Sequence, residues 1–187
     1  AINQYKALLE AHPLNVKARY NLGVVYASIG RYDQATGEYQ RVLSLEPGHA
    51  MALANLAWIL QQQQRHGEAI SVLQQLQALT PDDANVHYQL GNLQKAIGDL
   101  AAAEGAWYGA AQADPRHIGS QLALADLARQ RGDAPRTLAH ALDALAVDPN
   151  HPAAQIMAAR AHMQLLEHRQ AKAILEALGD RLPHSGE

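Results

Sequence analysis

Six of the eight prolines fall on one fixed grid: Pro13, Pro47, Pro81, Pro115, Pro149 and Pro183, each 34 residues after the last. Their surroundings match as well: "LSLEPGHA", "ALTPDDA", "QADPRHI" and "AVDPNHP" each close one apolar run and open the next. A strict period of this length is the mark of a repeat array, in which each unit is one supersecondary element. Proline drives the residue before it out of the α region, so each grid proline is a stop signal for the helix preceding it.

Numbering each unit so that its proline is position 32 gives five complete units, 16–49, 50–83, 84–117, 118–151 and 152–185, with residues 1–15 as the second half of an earlier one. Position 8 reads Gly23, Ala57, Gly91, Ala125, Ala159, and position 20 reads Ala1, Ala35, Ala69, Ala103, Thr137, Ala171. Small residues at two places per unit let two helices approach closely. Position 7 reads Leu22, Leu56, Leu90, Leu124, Ala158, a core row, and position 24 reads Tyr5, Tyr39, Leu73, Trp107, Ala141, Leu175, mostly large. Gly30, Gly98 and Gly132 sit between the two apolar runs, where glycine can take the left-handed conformation that ends a helix. Pro135 falls where the first turn of a second helix tolerates it. The expected unit is a helix hairpin, and the expected fold class is all-α.

The segment "YNLGVVYASIGRYDQATGEYQRVLSLEP" carries Leu22, Gly23, Tyr26, Ala35, Tyr39 and Pro47 at spacings that resemble the tetratricopeptide repeat (TPR). The resemblance runs along essentially the whole chain. It implies a single TPR solenoid, a right-handed superhelix of antiparallel helix pairs with first helices lining the concave side. Position 4 departs from the family, with Arg19, Leu53, His87, Gln121 and Gln155 in place of an aromatic. Ala128, Ala141 and Ala144 make the fourth unit the one expected to pack most weakly, because small side chains at buried sites forfeit apolar burial. The two ends lack polar capping helices, so a fragment of a longer bacterial array is expected, with end-to-end self-association through terminal helices as the alternative.

Composition narrows the function classes. There is no cysteine, so no thiolate nucleophile, disulfide or Cys-based metal site. Net charge is −3 with no strongly basic stretch, which speaks against nucleic acid as a partner. No apolar run is long enough for direct membrane insertion. No motif for a nucleophile elbow, a phosphate loop or a helical zinc site occurs. His49, His117 and His151 share position 34 in the loops between units, too far apart to hold one metal, and read as solvated. No cofactor or metal is expected, and the chain is not read as an enzyme. A catalytic domain elsewhere in a parent protein is compatible with this.

By analogy with the family, positions 2, 5, 6, 9, 12 and 13 of each first helix face the concave groove. The candidate binding residues follow: Lys17, Tyr20, Asn21, Asn55, Trp58, Tyr88, Gln89, Asn92, Lys95, Asp126, Arg129 and Arg160. Asn21, Asn55 and Gln89 recur at position 6. Such amides donate and accept, and so could pair with the backbone of an extended peptide or instead with neighbouring helices. This short row resembles the asparagine ladder of O-linked N-acetylglucosamine transferases. Trp58 either packs between adjacent first helices, the reading favoured here, or anchors a ligand with Tyr20 and Tyr88 beside it. The basic clamp that chaperone-tail-binding members of the family carry is missing, since position 5 holds no basic residue. The leading expectation is a non-catalytic scaffold that binds a protein or extended peptide in its groove. The alternatives are the recognition arm of a larger bacterial transferase and a periplasmic scaffold of exopolysaccharide synthesis or export.

Overall fold

A computed structural model describes residues 1–179. Pro183 and the end of the fifth unit lie outside the described residues. Among the described residues there are eleven helices and no strand: α1 (Ile2–Ala11), α2 (Val16–Ser28), α3 (Tyr32–Leu45), α4 (Ala50–Gln62), α5 (His66–Leu79), α6 (Ala84–Ala96), α7 (Leu100–Ala113), α8 (Ile118–Gln130), α9 (Ala134–Val147), α10 (Pro152–Gln164) and α11 (His168–Gly179). The fold is an all-α repeat of helix hairpins.

The grid prolines act as the sequence predicts. Helices α1, α3, α5 and α9 stop two residues before Pro13, Pro47, Pro81 and Pro149, and the residue preceding each proline is off the helix, with φ from −129° to −134°. Pro135 lies in the first turn of α9, and Asp133 caps that helix by accepting from the Arg136 amide at 3.0 Å. The turn inside each hairpin is left-handed at position 15 in every described unit. Gly30, Gly98 and Gly132 take φ of 74°, 86° and 74°, and Gln64 and Leu166 take 60° and 62° in the same place.

The chain divides into two compact units, one of residues 1–81 with 92–99, the other of residues 82–91 with Leu100 onward. In the first, α2 packs on α3, α3 on α4 and α4 on α5. Its core holds Leu22, Tyr26, Ala35, Tyr39, Val42, Leu53, Leu56, Ile59, Leu60 and Leu73. Arg19, where the family carries an aromatic, is nearly buried. It pairs with Glu38 of α3 at 2.9 Å and donates to the Pro13 carbonyl at 2.7 Å.

In the second unit α7 packs on α8, α8 on α9, α9 on α10 and α10 on α11. Trp107 is the centre of a buried cluster with Ala103, Leu124 and Leu127. Ala125, Ala141 and Ala144 are fully buried between α8 and α9. The position pair that joins Arg19 to Glu38 recurs here as Gln121 and His140, with His140 Nδ1 at 2.9 Å from Gln121 Oε1. Both pairs tie the start of a first helix to the middle of its second helix.

Candidate functional site

In the first unit, α2 and α4 leave a cleft of about 250 Å³ lined by Val24, Ala27, Ser28, Tyr39, Asn55 and Trp58. Five of the six occupy groove positions 6, 9, 12 and 13, as the helical period requires of one face. Tyr39 comes from α3 and is fully buried. No lining side chain carries a charge.

Trp58 is 47% exposed. It does not disappear between first helices, the placement favoured from sequence; its ring instead stands edge-on to Tyr32 at 5.8 Å. Nor does Tyr20 flank it by ring contact. Tyr20 stacks on His49 at 5.0 Å and lies 5.9 Å from the Tyr39 ring. The link between Tyr20 and the cleft is polar. Asn55 Nδ2 donates to the Tyr20 hydroxyl at 3.1 Å and to the Tyr39 hydroxyl at 3.3 Å. Burial, then the neighbouring Tyr20, pushes the Tyr39 phenol up to about 12, against the opposing effect of the Asn55 hydrogen bond. The Asn55 amide is held in place by two tyrosine hydroxyls, one on each helix of the preceding unit. Its Oδ1 remains as the acceptor.

The other candidates are distributed between the two units. Lys17 is exposed and Asn21 half-buried on α2, while Asn92 and Lys95 are exposed in the part of α6 assigned to the first unit. In the second unit, Gln89 and Arg160 are exposed. Asp126 is held by Arg129 at 2.7 Å and by the Gln130 amide at 2.7 Å. Tyr88 leans on His117, ring centroids 4.9 Å apart.

The loop histidines turn out to be helix caps rather than idle surface groups. The Nδ1 of His49, His117 and His151 accepts from the amides of Ala52, Ser120 and Ala154 at 3.2, 3.0 and 3.5 Å. Asn15 and Asp83 do the same work at the same position. The amides at a helix start lack internal partners, and a side-chain acceptor satisfies one of them. The signal was present in the row itself, since Asn15 and Asp83 share that position with the three histidines. Tyr39, which lines the cleft, and Tyr32, which meets the Trp58 ring, lie on second helices and were not among the residues the sequence singled out for the site.

A tetratricopeptide-repeat family model matches residues 1–50, and another matches residues 30–97. The chain is a tetratricopeptide-repeat protein. This TPR chain is 31% identical over 157 residues to cellulose synthase operon protein C of Pseudomonas fluorescens, covering 80% of the chain and 12% of that protein. It is 28% identical over 109 residues to the Hsp70-Hsp90 organizing protein of Triticum aestivum, covering 58% and 19%. The chain thus spans less than a fifth of either relative. Among solved structures it resembles YrrB, described as a TPR protein with an unusual peptide-binding site. The TM-score is 0.76 at 15% identity, over 99% of this chain and 95% of that one.

Proposed function

We propose that this TPR chain is a non-catalytic interaction scaffold that holds an extended peptide across α2 and α4. The observation that carries the proposal is Trp58, left half-exposed beside an uncharged cleft in which the Asn55 amide is tied to two tyrosine hydroxyls. An exposed aromatic beside a pocket is the usual anchor of a binding surface. Lys17 and Asn21 are proposed to flank the peptide on α2. Gln89, Asn92, Lys95, Asp126, Arg129 and Arg160 are proposed to meet further parts of the partner. The likeness to YrrB supports a peptide as the ligand class.

Trp58 and Trp107 are the only tryptophans, and Trp107 is buried. A peptide selected from a random library on the wild-type chain should change Trp58 emission. Trp58→Ala should weaken its binding about tenfold or more, the loss expected of an anchor. Unchanged affinity in Trp58→Ala, or a library that yields no binder, would remove the proposal.

A second reading rests on the match to cellulose synthase operon protein C, which extends over 80% of the chain. In it the scaffold belongs to the machinery of exopolysaccharide synthesis or export. The sequence of the parent chain on either side distinguishes this from the recognition arm of a transferase.

A further inference from the structure

His49 closes the loop between α3 and α4 and caps α4, its Nδ1 accepting from the Ala52 amide at 3.2 Å. An imidazole accepts there only while Nδ1 carries no proton, so the cap requires the neutral ring with its hydrogen on Nε2. A second proton turns the acceptor into a donor that faces a donor, at a helix start whose partial charge is already positive. Protonation and capping therefore exclude each other.

What the ring touches singles His49 out among the caps. It lies against Tyr20, centroids 5.0 Å apart and planes 28° apart. The Tyr20 hydroxyl accepts from Asn55 Nδ2, and the Tyr20 ring stands 5.9 Å from that of Tyr39. Asn55 and Tyr39 both line the cleft. Tyr20 thus joins the capping ring to the cleft wall within the first unit. The other capping histidines lack this connection. His117 leans on Tyr88 in the same way, but Ala123 stands where Asn55 does and has no amide to offer. The unit that ends in His151 has Leu122 in place of the tyrosine.

Few other groups around this loop titrate on the acid side of neutrality. On α2, Lys17 is exposed, and Arg19 is committed to Glu38 of α3 and to the Pro13 carbonyl. Glu38 is held from its other side by Arg41. The Tyr39 phenol of α3, pushed up to about 12, keeps its proton. Exposed Glu46 follows α3, and α4 has no titratable side chain. Of these residue types, imidazole is the one that ordinarily changes charge between about pH 8 and 5.

Resting on the α2–α4 cleft as the peptide site, we infer that His49 makes the cleft pH-sensitive. With the ring neutral, the cap holds Tyr20, and through it Asn55, in the binding arrangement. When the ring takes up a proton the cap is released and the cleft loses affinity.

The test uses the intact chain and a peptide selected from a library without ionisable side chains, its ends blocked, so that any response to pH belongs to the protein. Trp58 emission reads the affinity at about pH 7.5 and about pH 5.5. Affinity should fall about fivefold or more at the lower pH, the order of one lost hydrogen bond. His49→Asn keeps an acceptor of the kind Asn15 supplies to α2 and takes up no proton. It should bind as wild type does at the higher pH and lose nothing at the lower, whereas His117→Asn should keep the wild-type loss. In the free chain, the Asn55 side-chain amide resonances should shift with the same midpoint as the His49 ring, and should not shift in His49→Asn. Affinity indifferent to pH, a loss that persists in His49→Asn, or Asn55 resonances that ignore the His49 titration would overturn the inference and leave the peptide site standing. Binding unaffected by Trp58→Ala would instead remove the site, and with it any role for His49 in regulating it.

Discussion

Gly91 lies directly beneath the indole of Trp107: a Cβ placed on it would stand 2.4 Å from Nε1 and 2.5 Å from Cδ1. Gly23 meets Tyr39 in the same way, its Cβ position 2.7 Å from Cε1. Where position 8 is alanine, position 24 is Leu73, Ala141 or Leu175. The two rows are complementary in volume, so the missing methyl on the first helix makes room for the aromatic on the second. Replacing Gly by Ala in a helix interior ordinarily stabilises by about 1 kcal/mol. Here the clash wins. Gly91→Ala should destabilise the chain by about 1–3 kcal/mol, the cost of overpacking a core. Adding Trp107→Leu, which copies the Ala57 and Leu73 pair, should recover part of that loss. Denaturant unfolding of the double-mutant cycle measures both, and additive losses would show that the two rows are independent.

The left-handed turns offer a change in the opposite direction. Leu166 holds φ of 62° with its side chain 77% exposed. Left-handed backbone costs a non-glycine residue about 1–2 kcal/mol, more than the extra entropy glycine brings to the unfolded chain. Leu166→Gly should raise stability by about 0.5–1 kcal/mol, and Gln64→Gly should do likewise. A lower melting temperature in both variants would contradict this account of position 15.

The histidine caps predict a graded series. His117→Ala removes the acceptor for the Ser120 amide and should cost about 0.5–2 kcal/mol. His117→Asn should retain most of the stability, because Asn15 already fills the equivalent place. Equal loss in the two variants would mean that contact with Tyr88, and not capping, is what His117 provides.

His140 should make stability depend on pH. Its pKa is lowered, first by burial, then by the balance of Asp143 raising it and Arg136 lowering it. The unfolded chain therefore takes up this proton first, near the ordinary 6.5. The contribution is complete above that value and diminishes as pH falls below it, until the folded imidazole also protonates. Unfolding free energy followed downward from neutral pH should decline, and His140→Gln should flatten that part of the profile. An unchanged profile in the variant would assign the decline to other groups.

Much of the architecture was legible because proline and glycine act locally. Pro47 ends a helix wherever it occurs, and a fixed 34-residue grid leaves few folds to choose from. Position 7 reads as core because its leucines recur at one helical angle, and all five of its residues are buried. The pairings between helices were harder to read. Arg19 with Glu38, and Gln121 with His140, join residues 19 apart, a relation that appears only once the hairpin closes. Asn55 could be assigned to the groove face from its position, but its two tyrosine partners lie on α2 and α3 and belong to the preceding repeat. Trp58 was misjudged because nothing in its own helix says whether the adjacent ring will cover it.

The claim on which the functional account depends is that the α2–α4 cleft is where a partner binds. Amide and indole chemical shifts, followed during titration with a library-selected peptide, test it most directly. The account predicts the largest changes at Val24, Ala27, Ser28, Asn55 and the Trp58 indole, with the Trp107 indole unmoved. Changes confined to other helices, with Trp58 silent, would contradict it.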